Sequence, residues 1–331
     1  MAPRRTRPTI NQVAEAAGVT KSSVSRAYTR PEMLSEETVR KIFAAAEELG
    51  YVPNHTARAL STGRHGNIAL IVPDVANPFF PPLIRAAQTE AERSDYCVFL
   101  GNSDEKPKQE DKLIGRFGGQ VEGILLVSSR LSDEKIVSHA ANRPMVLINR
   151  DVDGIPRVLI DSAAGVKEAV EHLASLGHKK LVYVSGPQGS WSNKQRRAAV
   201  RQSARAFGIE ATIIANESAA FEAGRRVVPS VLSSGATAAI ALDDLTAQGM
   251  LAELLQRGVS VPDDLSVVGC DDVLGATTYP PLTTVSNRSV EAGKTALTLL
   301  VDMLENQAIR DVRYVLKTNL VIRNTTGRAR A

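Results

Sequence analysis

Two sets of polar residues in this 331-residue chain have types and spacings suited to chemistry. The first is Thr20-Lys21-Ser22-Ser23-Val24-Ser25-Arg26. On a helix, Val24 turns inward and the others present short hydroxyls and long cations. Such side chains enter a major groove and hydrogen-bond base edges or phosphates. The second set follows apolar runs. It comprises Asp74, Asn77, Phe79 and Phe80, then Asn149 and Arg150, then Trp191, Ser192 and Arg196, then Asp243 and Asp244, then Asp271 and Asp272. Carboxylates, amides and guanidiniums beside an aromatic suit a polyhydroxylated ligand. Each hydroxyl both donates and accepts, and a sugar's C–H face stacks on a ring. The carboxylates also invite acid–base catalysis. Nothing beyond their presence supports it: there is no Gly-x-Gly-x-x-Gly after the first apolar run, no Walker loop and no His-Glu-x-x-His. The five histidines are scattered, and Cys97 and Cys270 lack metal-ligand spacing. Binding is expected, with no cofactor, no metal and no enzymatic turnover.

The first set needs a helical head to hold it. Thr9-Ile10-Asn11-Gln12 reads as a capping box, followed by Val13, Ala14 and Ala17 on one face and a break at Gly18. Thr20 caps a second short helix to about Tyr28 that buries Val24 and Ala27, which makes a helix-turn-helix. A third helix is capped by Ser35, ended by Gly50, and striped with Val39, Ile42, Phe43, Ala46 and Leu49. After Pro53, Asn54 caps a segment of about seven residues that is too short to be helical alone. It is expected to form against a twin, packing through Ala57, with Leu60 wedged into the minor groove. Charge agrees with this reading. Residues 1–65 carry ten Lys/Arg against six Glu and no Asp, whereas the remainder is balanced at thirty against thirty. All of the net +4 therefore lies with the head, as a polyanion partner requires.

The second set needs strand ends. Residues 68–72, 97–100, 124–127, 146–148, 181–184, 238–241 and 265–269 are continuous apolar runs separated by helical stretches. That pattern belongs to a doubly wound α/β fold of parallel sheets, and the number of strands calls for two lobes split near residue 161. Ligands of such sheets bind beyond the strands' carboxyl ends, which is where the second set falls. No run is long enough to span a membrane, and the basic start is followed by no apolar segment. A cytoplasmic protein is expected.

These residues resemble the lactose-repressor/galactose-repressor (LacI/GalR) family of bacterial transcription regulators. The likeness runs through Thr9-Ile10, Val13-Ala14, Ala17-Gly18-Val19-Thr20 and Val24-Ser25-Arg26, then Leu49-Gly50-Tyr51-Val52-Pro53-Asn54 and Ala57-Arg58-Ala59-Leu60. It continues through Asn77-Pro78-Phe79-Phe80, Leu176-Gly177-His178-Lys179, Ser185-Gly186-Pro187, Val267-Val268-Gly269-Cys270-Asp271-Asp272 and Pro281-Leu282-Thr283-Thr284-Val285. The resemblance implies a helix-turn-helix domain over 1–53, a hinge over 54–65 and an effector core over 66–331 like that of periplasmic sugar-binding proteins. It implies an N-lobe of about 66–160 plus 288–318 and a C-lobe of about 161–287 plus the C-terminal segment. Lys21 and Ser22 then set base preference. Thr20, Ser23, Ser25 and Arg26 contact phosphates or bases, with Thr9, Ile10 and Tyr51 completing that face, and Asn54, Ala57 and Leu60 form the hinge. Arg196 and Asp271 become the main effector ligands, with Phe80, Asn149, Ser192, Asp243 and Asn287 also lining the cleft.

Three residues depart from the family's pattern: Asp243 where Asn or Gly is usual, Ala219 where an aromatic stacks on the effector, and Cys270 in place of Tyr. Trp191 and Phe221 are the rings left to supply the missing stack. The reading is a homodimeric repressor on a near-palindromic double-stranded operator, switched by a sugar or polyol; a nucleoside or purine is the second choice of effector. The rival reading, an exported sugar-binding protein, has no use for the basic helical head. No C-terminal leucine heptads follow, so a dimer rather than a tetramer is expected. Substituting Lys21 or Ser22 should change the preferred sequence in a binding-site selection experiment; a change in affinity alone would refute their role in base readout.

Overall fold

The computed structural model describes residues 8–52, 65–216, 218–306 and 311–330. The chain divides into two units at His65/Gly66. In the first, Thr9 caps α1 (Ile10–Ala16) in the expected box, its amide donating to Gln12 Oε1 at 2.8 Å while Gln12 donates back to the Thr9 hydroxyl. Thr20 caps α2 (Lys21–Thr29), and Ser35 caps α3 (Glu36–Leu49). Gly50 ends α3 at φ 64°, a left-handed conformation that other residues adopt only under strain. Val13, Ala14, Val24, Ala27, Ile42, Ala45 and Ala46 form the small core. Here the structure differs from the expected stripe of α3: Phe43 and Leu49 are exposed, and Ala45 is buried. Alanines let the three helices approach too closely to admit a ring. Phe43 instead lies at the rim, edge-on to Tyr28 with centroids 5.0 Å apart.

The second unit holds two sheets. β1 (Asn67–Val72), β2 (Cys97–Asn102), β3 (Gly123–Val127), β4 (Met145–Ile148), β5 (Arg157–Asp161) and β11 (Arg313–Lys317) pair in the order β11-β5-β4-β3-β1-β2, all parallel. β6 (Lys180–Val184), β7 (Glu210–Ile214), β8 (Ala238–Ala241), β9 (Ser266–Cys270), β10 (Thr283–Val285) and β12 (Leu320–Val321) pair as β12-β10-β9-β8-β6-β7. Only β12 runs antiparallel among these described strands. The strands are apolar throughout because helices cover both faces. Ile68, Leu70 and Val72 pack under α4 (Phe80–Arg93) and α11 (Ser289–Asn306). Ala69 and Ile71 face the opposite way, toward Ile114 of α5 (Pro107–Phe117) and Ile136 of α6 (Asp133–Ala140). That alternation is the two-residue period of a strand. No described helix is long and apolar enough to cross a membrane.

The chain passes between the sheets three times: from β5 into α7 (Ser162–Ser175), from β10 into α11, and from β11 into β12. The passages are tied side by side. Thr318 Oγ1 donates to the Asp161 carbonyl at 2.7 Å and accepts from the Gly165 amide at 3.2 Å. The Ser286 amide donates to the Asn319 carbonyl at 2.7 Å, and the Asn319 amide donates to Ser286 Oγ at 3.0 Å. A Cβ at Gly165 would stand 2.3 Å from Val285 Cγ1 and 2.8 Å from Thr318 Oγ1, so the crossovers meet here without slack. Gly165→Ala should therefore lower stability by about 1–3 kcal/mol, as overpacking does. Thermal unfolding reads this directly, and an unchanged midpoint would show that the crossovers have room to spare.

Candidate functional site

In the helical unit, Lys21, Ser22, Ser25 and Arg26 are exposed along α2. Thr20 and Ser23 are committed locally: the Thr20 hydroxyl accepts from the Ser23 amide at 3.1 Å, and the two side-chain oxygens lie 3.0 Å apart. Thr9 is similarly engaged in its box, while Ile10 packs partly against the core. Tyr51 is half-buried, its ring 6.2 Å from that of Tyr28. The outward face of α2 is thus two short hydroxyls and two cations, a surface able to meet a polyanion. Asn54, Ala57 and Leu60 lie outside the described residues.

In the second unit, the carboxyl ends of the two sheets face each other across a narrow cleft that is open to solvent. From the N-lobe, Asn77, Phe79, Phe80, Glu105, Ser128, Arg130 and Asn149 line it. From the C-lobe come Pro187, Ser190, Ser192, Arg196, Ala219, Leu242, Asp243 and Asp271. Of the effector residues read from sequence, Phe80, Asn149, Ser192, Arg196, Asp243 and Asp271 are therefore brought together. Trp191 and Asn287 are not among the lining residues. Trp191 opens α8 (Trp191–Ala206) and is half-buried, and Asn287 turns its oxygen to the Ser289 amide at the start of α11. The aromatic wall is instead Phe79 and Phe80, edge-to-face with centroids 5.1 Å apart.

Arg196 organises the C-lobe wall. It is buried, and it donates to Asp271 Oδ1 at 2.8 Å and to the Leu242 carbonyl. Its Nε is buried without a partner, which leaves a donor directed at no protein atom. Asp271 itself sits at φ 105°, a sparsely populated conformation that costs on the order of 1–3 kcal/mol and is held by its surroundings. Burial pushes the Asp271 carboxyl up, and Arg196 opposes the shift. Behind it, Asp244 accepts from the Val273 and Leu274 amides at 3.0 and 3.1 Å and from Thr284 Oγ1 at 2.5 Å, pinning the loop after β9. Asn193 shapes the loop after β6. Its Oδ1 accepts from Tyr183 Oη and Ser185 Oγ, each at 3.1 Å, and its Nδ2 donates to the Gly186 carbonyl at 2.9 Å.

On the N-lobe wall, Asn149 has φ 52° and uses Oδ1 to accept from the Ile160 amide at 3.0 Å, which leaves its NH2 group for the cleft. Arg130 is the N-lobe cation. Its Nε donates to Glu105 Oε2 at 2.5 Å and its Nη1 to the Ser128 carbonyl at 2.7 Å. Glu110 supports that loop from behind by accepting from the Arg130 amide at 2.9 Å and from Ser129 Oγ; burial raises its carboxyl and the Ser129 hydrogen bond opposes this. Sequence reading placed Arg150 here instead. Arg150 turns away, donating to the Leu131 carbonyl at 2.9 Å and to Asp133 Oδ1 at 2.6 Å. The strand-end rule applies equally to Ser128-Ser129-Arg130, directly after the run 124–127, so that signal was present in the sequence.

Several known proteins are similar to this chain. Residues 9–54 match the family described as bacterial regulatory proteins, lacI family, and residues 170–326 match a periplasmic binding protein-like domain. The chain is 31% identical over 332 residues to the HTH-type transcriptional repressor CytR of Escherichia coli (strain K12), covering 98% of this chain and 97% of that protein. It is 32% identical over 323 residues to the ribose operon repressor of Halalkalibacterium halodurans, covering 96% and 97%. The crystal structure of the lac repressor dimer bound to operator and the anti-inducer ONPF matches with a TM-score of 0.88 at 25% identity, over 97% of this chain and all of that one.

Asp244 gives the cleft a pH signature. Burial, reinforced by the Asp271 and Asp243 carboxylates, raises its pKa to about 7 against the hydrogen bond from Thr284. An unfolded Asp titrates near 4. Between these values the folded chain binds more protons than the unfolded one, so stability falls as pH rises through the window and levels off above it. Asp244→Asn keeps an oxygen for the two amides and should flatten the dependence of the unfolding midpoint on pH between about 4 and 7. The same slope in the variant would place the ionisation elsewhere.

Proposed function

This chain belongs to the lacI family of bacterial regulatory proteins, and from that premise we propose that it is a homodimeric repressor whose hold on a near-palindromic operator is set by a neutral polyhydroxylated molecule, a sugar or polyol, in the cleft. It acts in the cytoplasm, on the nucleoid DNA. Lys21, Ser22, Ser25 and Arg26 read the operator from the exposed face of α2, with Thr9, Ile10, Thr20, Ser23 and Tyr51 placing the helix on the backbone. The hinge residues Asn54, Ala57 and Leu60 sit at the centre of the operator. Head and hinge over 1–65 and a core over 66–331 divide the labour between DNA and effector.

The observation that carries the effector class is the pairing of charge. Both cations lining the cleft are already neutralised within the protein, Arg130 by Glu105 and Arg196 by Asp271, and Asp243 adds a further carboxylate. A phosphate or carboxylate ligand meets no free cation among the described lining residues and is repelled. A hydroxyl-rich neutral ligand finds what remains: the Asn149 amide, the Ser192 hydroxyl and the Phe79–Phe80 wall. Trp191 and Asn287 act from the edge of this set. A neutral nucleoside is the second reading, favoured by the small Ala219 on the wall, which leaves room for a flat ring beside the phenylalanines. Binding rather than turnover is the chemistry this arrangement serves.

Calorimetric titration of the full chain with pentoses, hexoses, polyols and nucleosides, each beside its phosphate ester, should find a neutral binder whose ester binds at least about tenfold more weakly, a difference of about 1.4 kcal/mol. An ester that binds more tightly would overturn the effector class. Asp271→Ala should abolish the effector's influence on operator affinity, while saturable, salt-sensitive DNA binding persists in fluorescence anisotropy. A normal response in that variant would move the site elsewhere.

A further inference from the structure

Asn77 and Asp243 meet across the cleft. Asn77 follows β1 in the N-lobe, and Asp243 follows β8 in the C-lobe, 166 residues further along the chain. Both are almost fully buried, at 7% and 4% exposure. Asn77 Nδ2 donates to Asp243 Oδ2 at 2.9 Å. Each side chain spends its other end on its own lobe. Asn77 Oδ1 accepts from the Phe79 amide at 3.0 Å, and Asp243 Oδ1 accepts from the Thr246 amide at 2.8 Å, capping α10 (Asp244–Gln256). The direction of the cross-cleft bond is therefore fixed: a carboxylate only accepts, and the amide oxygen is already taken.

We infer that Asn77 and Asp243 are positioning residues that hold the two lobes at the angle this structure shows. This deepens the reading of the cleft as an effector site. A hydrogen bond to a charged, buried acceptor is among the stronger ones a protein makes, and breaking it leaves an oxygen that water or ligand has to satisfy. A ligand hydroxyl near Asp243 competes with the Asn77 amide for the same acceptor. Ligand recognition and lobe angle are thereby joined at one atom, which is the differential contact a population shift requires. The walls also approach at Gly189, where an added Cβ would lie 3.4 Å from Arg130 Cδ.

An exchange of the two residues tests this in the full, ligand-free chain. Asn77→Asp sets two carboxylates face to face, and Asp243→Asn sets two amide NH2 groups face to face. Every variant keeps an oxygen for the Phe79 or Thr246 amide, so both helix starts survive. The double variant restores the bond with its direction reversed. The readout is hydrogen exchange at the amides of 128–130, 185–186 and 188–190, which lie on the two walls and make no hydrogen bond to either side chain. Each single variant should exchange about tenfold faster there, and the double variant should return to within about twofold of the parent. Parent-like rates in the singles, or a double variant no slower than the faster single, would overturn the inference. A single variant too unstable to measure still leaves the double as the deciding sample, which has to exchange at close to the parental rate. No ligand is present, so this result stands apart from the titration above. A failed panel with a rescued double variant would sink the effector class and leave the positioning role intact.

Discussion

A guanidinium buried at the ends of β8 and β9 sets the terms for the effector cleft. Arg196 has lost its water, so its charge must be met by protein, and Asp271 and the Leu242 carbonyl meet it. Those partners lie on loops after two different strands, while Arg196 projects from α8. One side chain thereby fixes three elements against each other. It also accounts for the strained backbone of Asp271, since the carboxylate that pairs with Arg196 is the group the loop must deliver. Asp244 pins the same loop from behind through two amides and a hydroxyl, and its raised pKa reflects how dry that corner is.

The N-lobe wall is built on the same principle with different parts. Arg130 is neutralised by Glu105 and steadied by the Ser128 carbonyl, and Glu110 holds its loop from beneath. Each wall thus presents a cation already matched to a carboxylate, and Asp243 leaves the described lining with one carboxylate in excess. Specificity in such a site comes from leaving buried polar atoms unpaired when the wrong ligand enters. The three crossovers, tied side by side, join the two walls along a common seam. A ligand that preferred one angle between lobes so joined would bias the whole core, which is the kind of coupling an allosteric repressor needs.

Much of this was legible in the sequence because the signals were local and periodic. The capping box at Thr9 and Gln12, the caps at Thr20 and Ser35 and the left-handed Gly50 depend on residues a few positions apart, and each forms as read. Continuous apolar runs identified β1 to β4, β6, β8 and β9. Of the strands that went unread, β7, β11 and β12 lie at sheet edges and β10 is only three residues long, whereas β5 is an interior strand whose short run Val158-Leu159-Ile160 was simply passed over. Phe43 shows the limit within the head: its helical position marks it as core, but the close approach of alanine-faced helices keeps it at the rim.

Sequence by itself determined the family, the paired lobes, and which strand ends would carry polar side chains, because strand direction dictates where loops gather. It did not determine where those side chains turn. Arg130 and Arg150 both follow strands of the N-lobe sheet, and only the fold decides that Arg130 meets Glu105 at the cleft while Arg150 is drawn off to the Leu131 carbonyl and Asp133. Trp191 and Ser192 are neighbours in the chain, yet only Ser192 lines the cleft, since successive residues on a helix point about 100° apart. The meeting of Asn77 with Asp243 lay beyond any reading of the chain. It joins residues from separate sheets, and its geometry comes from how the crossovers set one lobe against the other.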